Sequence, residues 1–154
     1  MKGYDAVVVG CGGIGSAALY WLARRGAGRV LGLDQFRLGH DRGASQDHSR
    51  MIRKAYTQRH YTTLIGAAYL REHIPAALGP ELYTKTCLYT LPPDRDFVLG
   101  PLAGLPQVLV AVGAGHAFKF AGLIGKILAE IALDGGTDHG IDAFRTDRPA
   151  LAYQ

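Results

Sequence analysis

Cysteine is scarce: the 154 residues include only Cys11 and Cys87. Two cysteines cannot make a disulfide framework, so a packed core must hold the chain. Charge is sparse as well, with 17 Lys and Arg against 13 Asp and Glu, a net +4. That small excess favours an anionic ligand. The basic residues are scattered, apart from Arg50, Arg53 and Lys54, and no basic run carries interleaved aromatics. Nucleic acid is therefore not an expected partner. No apolar run is long enough to span a bilayer, so no membrane role is expected. After Lys2 a short apolar run ends in glycines, unlike a signal peptide. The closing LAYQ carries no peroxisomal or ER address. A reducing cytoplasm is the expected compartment. The six histidines show no metal-ligand spacing with cysteines or carboxylates, so no metal is expected.

What is present is enough for a core. The chain is 48% hydrophobic and 19% charged, the balance of one globular domain. Its 21 glycines point to many tight turns or close backbone approaches.

Tyr4–Gly10 (YDAVVVG) is a short β-branched run and reads as a buried parallel strand. It leads into GCGGIG and then SAALYWLARRG. Ile14, Ala18, Trp21 and Leu22 fall on one helical face, and Gly26 supplies the stop. Val30–Asp34 reads as a second strand, completing a β-α-β unit. Gln35–Asp47 reads as a loop, and Ser49–Tyr56 leaves strand and helix both open. Residues 60–78 read as a helix, 81–90 as extended, and Pro92-Pro93-Asp94 as a turn. Gln107–Val112 reads as another buried strand. A helix is then expected to start near His116, with Phe120, Leu123, Ile124, Ile127, Leu128 and Ile131 as its apolar stripe. Gly135-Gly136 should end it, and a polar, irregular tail follows from Thr137.

Gly10, Gly12 and Gly15 form G-x-G-x-x-G between a strand and a helix. The first permits the turn, the second lets a pyrophosphate approach the backbone, and the third lets helix and strand pack closely. Gly13 and Ile14, inside the same motif, open the helix whose free N–H groups would face the phosphates. Asp34 ends the second strand, placed to accept from a ribose diol, with Gln35 beside it. An acid here argues against NADP; the motif alone does not separate FAD from NAD. Cys11 fills a small-residue slot of the motif and reads as a buried filler. GAGHAFKF repeats the theme of strand, glycine turn and helix. A helix end there would stabilise charge on a reduced flavin. Lys119, expected in the first helical turn, is either ligand-directed or a surface lysine. Arg50 and Arg53, three apart, either share an anion or form a solvated basic patch.

These residues carry a resemblance. The stretches YDAVVVGCGGIGSAALYWLARRG, LDQF…H…GAS…SRMIRKAY, CLYTLPPDRDFVLG, GAGHAFKFAGLIGKILAEIAL and RPAL resemble the monomeric sarcosine oxidase and N-methyl-tryptophan oxidase group of flavoprotein amine oxidases. That group includes peroxisomal sarcosine/pipecolate oxidases. Known members are more than twice as long. Their middle segment, holding much of the substrate domain, lies where Thr86 and Cys87 abut here.

The resemblance implies an α/β fold: a three-layer, Rossmann-like FAD-binding domain with the substrate domain largely missing. Residues 1–154 would form a single FAD-binding domain, built from 1–86 and 87–154, the second part completing the sheet begun by the first. Cys87 matches the cysteine carrying FAD as an 8α-thioether, a bond that basic neighbours would favour by lowering the thiol pKa. Arg50 matches a basic residue against the flavin. Arg53 and Lys119 match the pair gripping the substrate carboxylate, and Tyr89 a tyrosine near it. Gly115 and His116 would line the flavin. Ser45 would serve the cofactor, although GAS departs from the usual GSS or GSH. The implied activity is oxidation of a secondary amine by oxygen, giving imine and hydrogen peroxide. The alternatives are a non-catalytic flavin-binding remnant or partner module and, more weakly, an NAD-dependent Rossmann protein. Exposed sheet edges would favour self-association.

Overall fold

The computed structural model describes residues 3–45, 75 and 90–152. Apart from Pro75, these lie in one compact unit drawn from residues 1–48 and 88–154. The readings at Ser49–Tyr56, 60–78 and 81–90, and the sites Arg50, Arg53, Cys87 and Tyr89, lie outside the described residues, apart from Pro75 and Thr90.

The β-α-β unit forms as expected. Strand β1 (Ala6–Val9) leads to helix α1 (Gly13–Arg24) and strand β2 (Val30–Leu33). β1 and β2 pair in parallel, Ala6 opposite Val30 and Val9 opposite Leu33. α1 buries Ala18 and Leu22 and half-buries Ile14 and Trp21, the face its periodicity marks. It ends where Gly26 turns left-handed at φ +78°, and Ala27 N–H then donates back to Leu22 O. One expectation fails here. β1 is not buried on both faces: Ala6 and Val8 point to the core, while Val7 and Val9 stay exposed, Val9 at 82%. The alternation follows from a sheet packed on one side only.

Strands β3 (Val98–Leu102) and β4 (Leu105–Val112) form an antiparallel hairpin. Its turn is Ala103–Gly104, with Gly104 at φ +77°. Pro101 has no N–H to donate, and the pairing slips into a bulge between Pro101 and Leu102. Among the described residues this hairpin is a separate two-stranded sheet, and no described strand of the C-terminal segment extends the β1–β2 sheet. Nor is Gln107–Val112 a buried strand. It belongs to a longer one starting at Leu105, exposed over its first half and half-buried over its second.

The C-terminal segment joins the N-terminal unit through helices. Helix α2 (Ala121–Asp134) lies against α1 so closely that a Cβ added to Gly125 would sit 2.5 Å from the Ala17 carbonyl carbon. Trp21 Nε1 donates to Gly122 O at 3.0 Å, and Arg25 pairs with Asp134 at 2.7 Å. Ala129 packs with Leu22 and Ala27 on one side of α2. Ile124, Ile127 and Ile131 pack with Leu99 and Ala117 on the other. α2 thus bridges two small cores.

α2 starts at Ala121, not near His116. His116 and Ala117 N–H both donate to Gly113 O, closing a turn with Ala114 at φ 47° and Gly115 at φ 79°. A 3-10 turn, Phe118–Phe120, follows before the α-helix. Lys119 therefore lies ahead of α2 and not in its first turn. The register shift also exposes Phe120 and Leu123, while Ala121, Gly125 and Ala129 join the buried face. Gly135 ends the helix at φ 79°, as its sequence predicts. The tail is more ordered than its polarity implies. It holds 3-10 turns at Asp142–Phe144 and Pro149–Leu151, and Ile141 and Phe144 pack on the core.

One ion pair anchors that tail. Arg148 grips Asp94 with both arms of its guanidinium, Nε to Oδ2 at 2.6 Å and Nη2 to Oδ1 at 2.8 Å. Bidentate geometry and partial burial make this pair stronger than an ordinary surface bridge. The Arg148 hydrogen bonds hold the Asp94 pKa down, from 3.8 to about 2. A depressed carboxylate stabilises the fold fully above its unfolded pKa and loses that contribution as pH falls through its folded one. Wild-type stability from this pair should thus be intact above about pH 4 and fade toward pH 2. Arg148→Ala removes the depression, so its acid unfolding midpoint, followed by circular dichroism, should rise by roughly 0.5–1 pH unit. An unchanged midpoint would show that the pair contributes nothing.

Candidate dinucleotide site

The site grows from the end of β1. Gly10 N–H donates to Leu33 O at 2.8 Å, then the chain turns at Gly10, φ +92°, where a side chain would be strained. α1 begins three residues later. Its third motif glycine cannot be replaced without disruption, because a Cβ on Gly15 would lie 1.8 Å from Gly10 O. Ser16 secures the turn, its Oγ donating to Cys11 O at 2.7 Å. Cys11 is half-buried, not fully buried, with Sγ 3.5 Å from Leu33 O.

Asp34 closes the loop from below. Its Oδ2 accepts from Cys11 N–H at 2.7 Å and its Oδ1 from Phe36 N–H at 3.1 Å. His40 Nε2 lies 3.2 Å from the same Oδ1. These two backbone donors, chiefly, hold the Asp34 carboxyl below its ordinary range, with a smaller contribution from His40 and against partial desolvation. The acid expected to receive a ribose is therefore ionised and tied to the glycine loop itself. Gln35 follows it, exposed.

Ser45 reaches the helix start, where its Oγ accepts from Gly13 N–H at 2.9 Å. Phe118 comes from the other half of the chain to the same point. A Cβ on Gly13 would meet its ring at 3.2 Å, and one on Gly12 would meet Ser45 Oγ at 3.1 Å. The absent side chains at Gly12 and Gly13 leave room for Ser45 and Phe118 against the first turn of α1, at its positive end. An anionic pyrophosphate suits that helix end, and a diol suits Asp34.

The structure thus brings Gly10, Gly12, Gly13, Gly15, Asp34 and Ser45 together. Ile14 serves the α2-side core instead, packing against it from the first turn of α1. Gly115 and His116 form the turn before α2. His116 Nδ1 donates to Ala114 O at 2.9 Å, which assigns the proton to that nitrogen, and its ring lies 4.8 Å from Phe97. Lys119 Nζ lies 5.3 Å from the Phe120 ring centre. Sequence reasoning missed Phe118 and His40 as individual site residues. Each was visible only inside a longer match, GHAFKF and LDQF…H…GAS, because each acts on a residue distant in sequence or across a loop. Among the described residues, no His, Cys, Asp and Glu cluster could hold a metal ion. No described helix is long and apolar enough to cross a membrane.

Comparison with known proteins agrees with this geometry. Residues 5–72 match the FAD dependent oxidoreductase family. The chain is 37% identical over 84 residues to a monomeric sarcosine oxidase of Arthrobacter sp. (strain TE1826), covering 54% of this chain and 22% of that protein. A monomeric sarcosine oxidase of Bacillus sp. (strain B-0618) is 38% identical over 85 residues, covering 54% of this chain and 22% of that protein. An N-methyl-L-tryptophan oxidase of Escherichia coli (strain K12 / DH10B) is 32% identical over 116 residues, covering 75% of this chain and 31% of that protein. The matched segments span only about a quarter of the length of these relatives.

Proposed function

We propose that this chain, with its FAD-dependent oxidoreductase segment at residues 5–72, binds FAD through the β1–α1 loop. The observation that carries this reading is the tie between Asp34 and the glycine loop. It sets an ionised acceptor against the backbone of the glycine loop, at the end of a strand and the start of a helix. Gly12, Gly13 and Ser45 would hold the pyrophosphate and Asp34 the adenosine ribose. Cys87 would carry the flavin covalently, and Arg50, Gly115 and His116 would border it.

The bound flavin supplies a two-electron acceptor. The reaction we assign to the whole protein is oxidation of a secondary amine, of the N-methyl or cyclic amino acid kind, with oxygen as final acceptor. The products are an imine and hydrogen peroxide. Arg53 would bind the substrate carboxylate bidentately, Lys119 as a point charge, and Tyr89 would complete that pocket. The similarity to sarcosine and N-methyl-L-tryptophan oxidases supports this class.

The second reading is a flavin-binding module that does not turn over. The dinucleotide loop supports it by itself, because holding FAD there uses none of the groups proposed to grip the substrate. One experiment separates the readings. The chain is purified with FAD and denatured in acid. Colour that stays on the protein, and is lost in Cys87→Ala, supports covalent attachment; colour released from both supports non-covalent binding. Peroxide release with sarcosine or proline then tests turnover. We expect bound flavin and little peroxide from the 154-residue chain. Brisk turnover would remove the second reading, and absence of bound flavin would remove both.

A further inference from the structure

The loop after β2 holds an arrangement that the dinucleotide motif does not require. Asp34 Oδ1 already receives Phe36 N–H at 3.1 Å, and His40 Nε2 stands 3.2 Å from the same oxygen. His40 is itself fixed. Arg42 N–H donates to its Nδ1 at 3.0 Å, its ring meets Phe36 edge-on at 5.0 Å, and a Cβ on Gly43 would lie 3.3 Å from its Cε1.

The tautomer follows from donor logic. A backbone N–H only donates, so Nδ1 must be the acceptor and the ring proton sits on Nε2. Nε2–H then donates to Asp34. A carboxylate offers about four lone-pair directions, two on each oxygen. Phe36 and His40 fill those of Oδ1, and Cys11 N–H takes one on Oδ2. Among the contacts of the described residues, the remaining direction is on Oδ2, beside the glycine loop.

We infer that His40 is a positioning residue that decides how Asp34 receives a ribose. Neutral His40 closes Oδ1 and leaves Oδ2 for one hydroxyl of the diol. Protonated His40 loses its Arg42 N–H bond, because Nδ1 becomes a donor facing a donor. It also claims the carboxylate as an ion-pair partner. Both changes work against the ribose, so dinucleotide affinity should fall as His40 takes up a proton. Among the described residues, the charged and titratable groups nearest it are Asp34, just after β2, and Arg37, Asp41 and Arg42 on its own loop. The Arg42 guanidinium sits 4.6 Å over the Phe36 ring. Asp34, held below the ordinary carboxylate range, keeps its charge through the window tested.

This inference rests on the dinucleotide reading, and its test keeps the two apart. In flavin-free protein, nitrogen-15 NMR at pH 7.5 should show the His40 proton on Nε2. FAD and ADP dissociation constants are then measured at about pH 7.5 and 5.5 in a Cys87→Ala background, so that covalent attachment cannot hide the equilibrium. ADP carries the ribose diol without the flavin ring. FAD affinity should drop about 3- to 10-fold on acidification, and less than about 2-fold in His40→Gln, which donates but does not titrate there; for ADP, whose terminal phosphate also takes up a proton in this window, the wild-type loss should exceed that of His40→Gln by a similar factor. A proton on Nδ1, or an equal acid loss in His40→Gln, would overturn the role of His40 while leaving flavin binding standing. If neither ligand binds wild type at pH 7.5, the dinucleotide reading falls and takes this role with it.

Discussion

Gly15→Ala should destabilise the protein by about 3 kcal/mol or more and abolish FAD binding. The added methyl group would need to sit 1.8 Å from Gly10 O, a main-chain atom and not the end of a flexible side chain. Relief is available only by pushing α1 away from β1 or by moving Gly10. Moving Gly10 breaks its bond to Leu33 O and disturbs the turn that places Cys11 N–H on Asp34. Thermal unfolding is expected to come about 6–12 °C earlier. Flavin retention on a desalting column should vanish even below that melting point. A Gly15→Ala protein that melts like wild type and keeps its colour would show that helix and strand do not pack this closely.

Gly125→Ala should be nearly as damaging, at about 2–3 kcal/mol, through a different contact. Its Cβ would meet Ala17 C at 2.5 Å and Ala17 Cβ and Ala18 N at 2.6 Å. Two helix backbones would have to separate. That separation would strain the Trp21 bond to Gly122 O and the Arg25–Asp134 pair. Urea unfolding measures the loss. The chain has one tryptophan, so Trp21 fluorescence reports on this interface and should change in the folded variant. Ala17→Gly, made on top of it, relieves only the side-chain part of the clash and should restore only part of the stability. Full stability in Gly125→Ala alone would contradict the close helix contact.

The part of the fold legible in the sequence is the part specified by neighbours. β1, the glycine turn, α1 and β2 follow one another within thirty residues, and their patterns agree with each other. Gly26 and Gly135 end their helices as read, because a left-handed cap is a local requirement. What escaped was set by partners far along the chain. The start of α2 was misplaced because Gly113 O captures two N–H groups and inserts a turn that GAGHAFKF does not advertise. Periodicity put Phe120 and Leu123 inside, whereas the close approach to Ala17 makes Gly125 and Ala129 the interface. Gln107–Val112 reads as a buried strand because apolar runs look alike on an open and a covered sheet, and nothing marks Val98–Leu102 as its partner. Arg148 carries no local signal, because its partner Asp94 lies 54 positions away. In the site, Asp34 and the glycines were legible from spacing. His40 was not, since nothing in a sequence reveals which lone pair a loop histidine will fill.

The α1–α2 contact has a consequence for the chain between its partners. Trp21 and Gly122 meet across 101 positions, and Arg25 and Asp134 across 109. The entropy of closing such a loop grows only with the logarithm of its length, about 0.6 kcal/mol for each doubling. A segment twice or four times as long could be spliced in there at a cost comparable to one surface hydrogen bond. The same separation works against speed, because the core of Leu22, Ala27 and Ala129 cannot close until the two distant helices find each other, whereas the other is built almost wholly from residues 97–144. The glycine loop and Asp34 are therefore held beside a joint whose stability is nearly indifferent to how much protein hangs between its halves, while its folding rate is not.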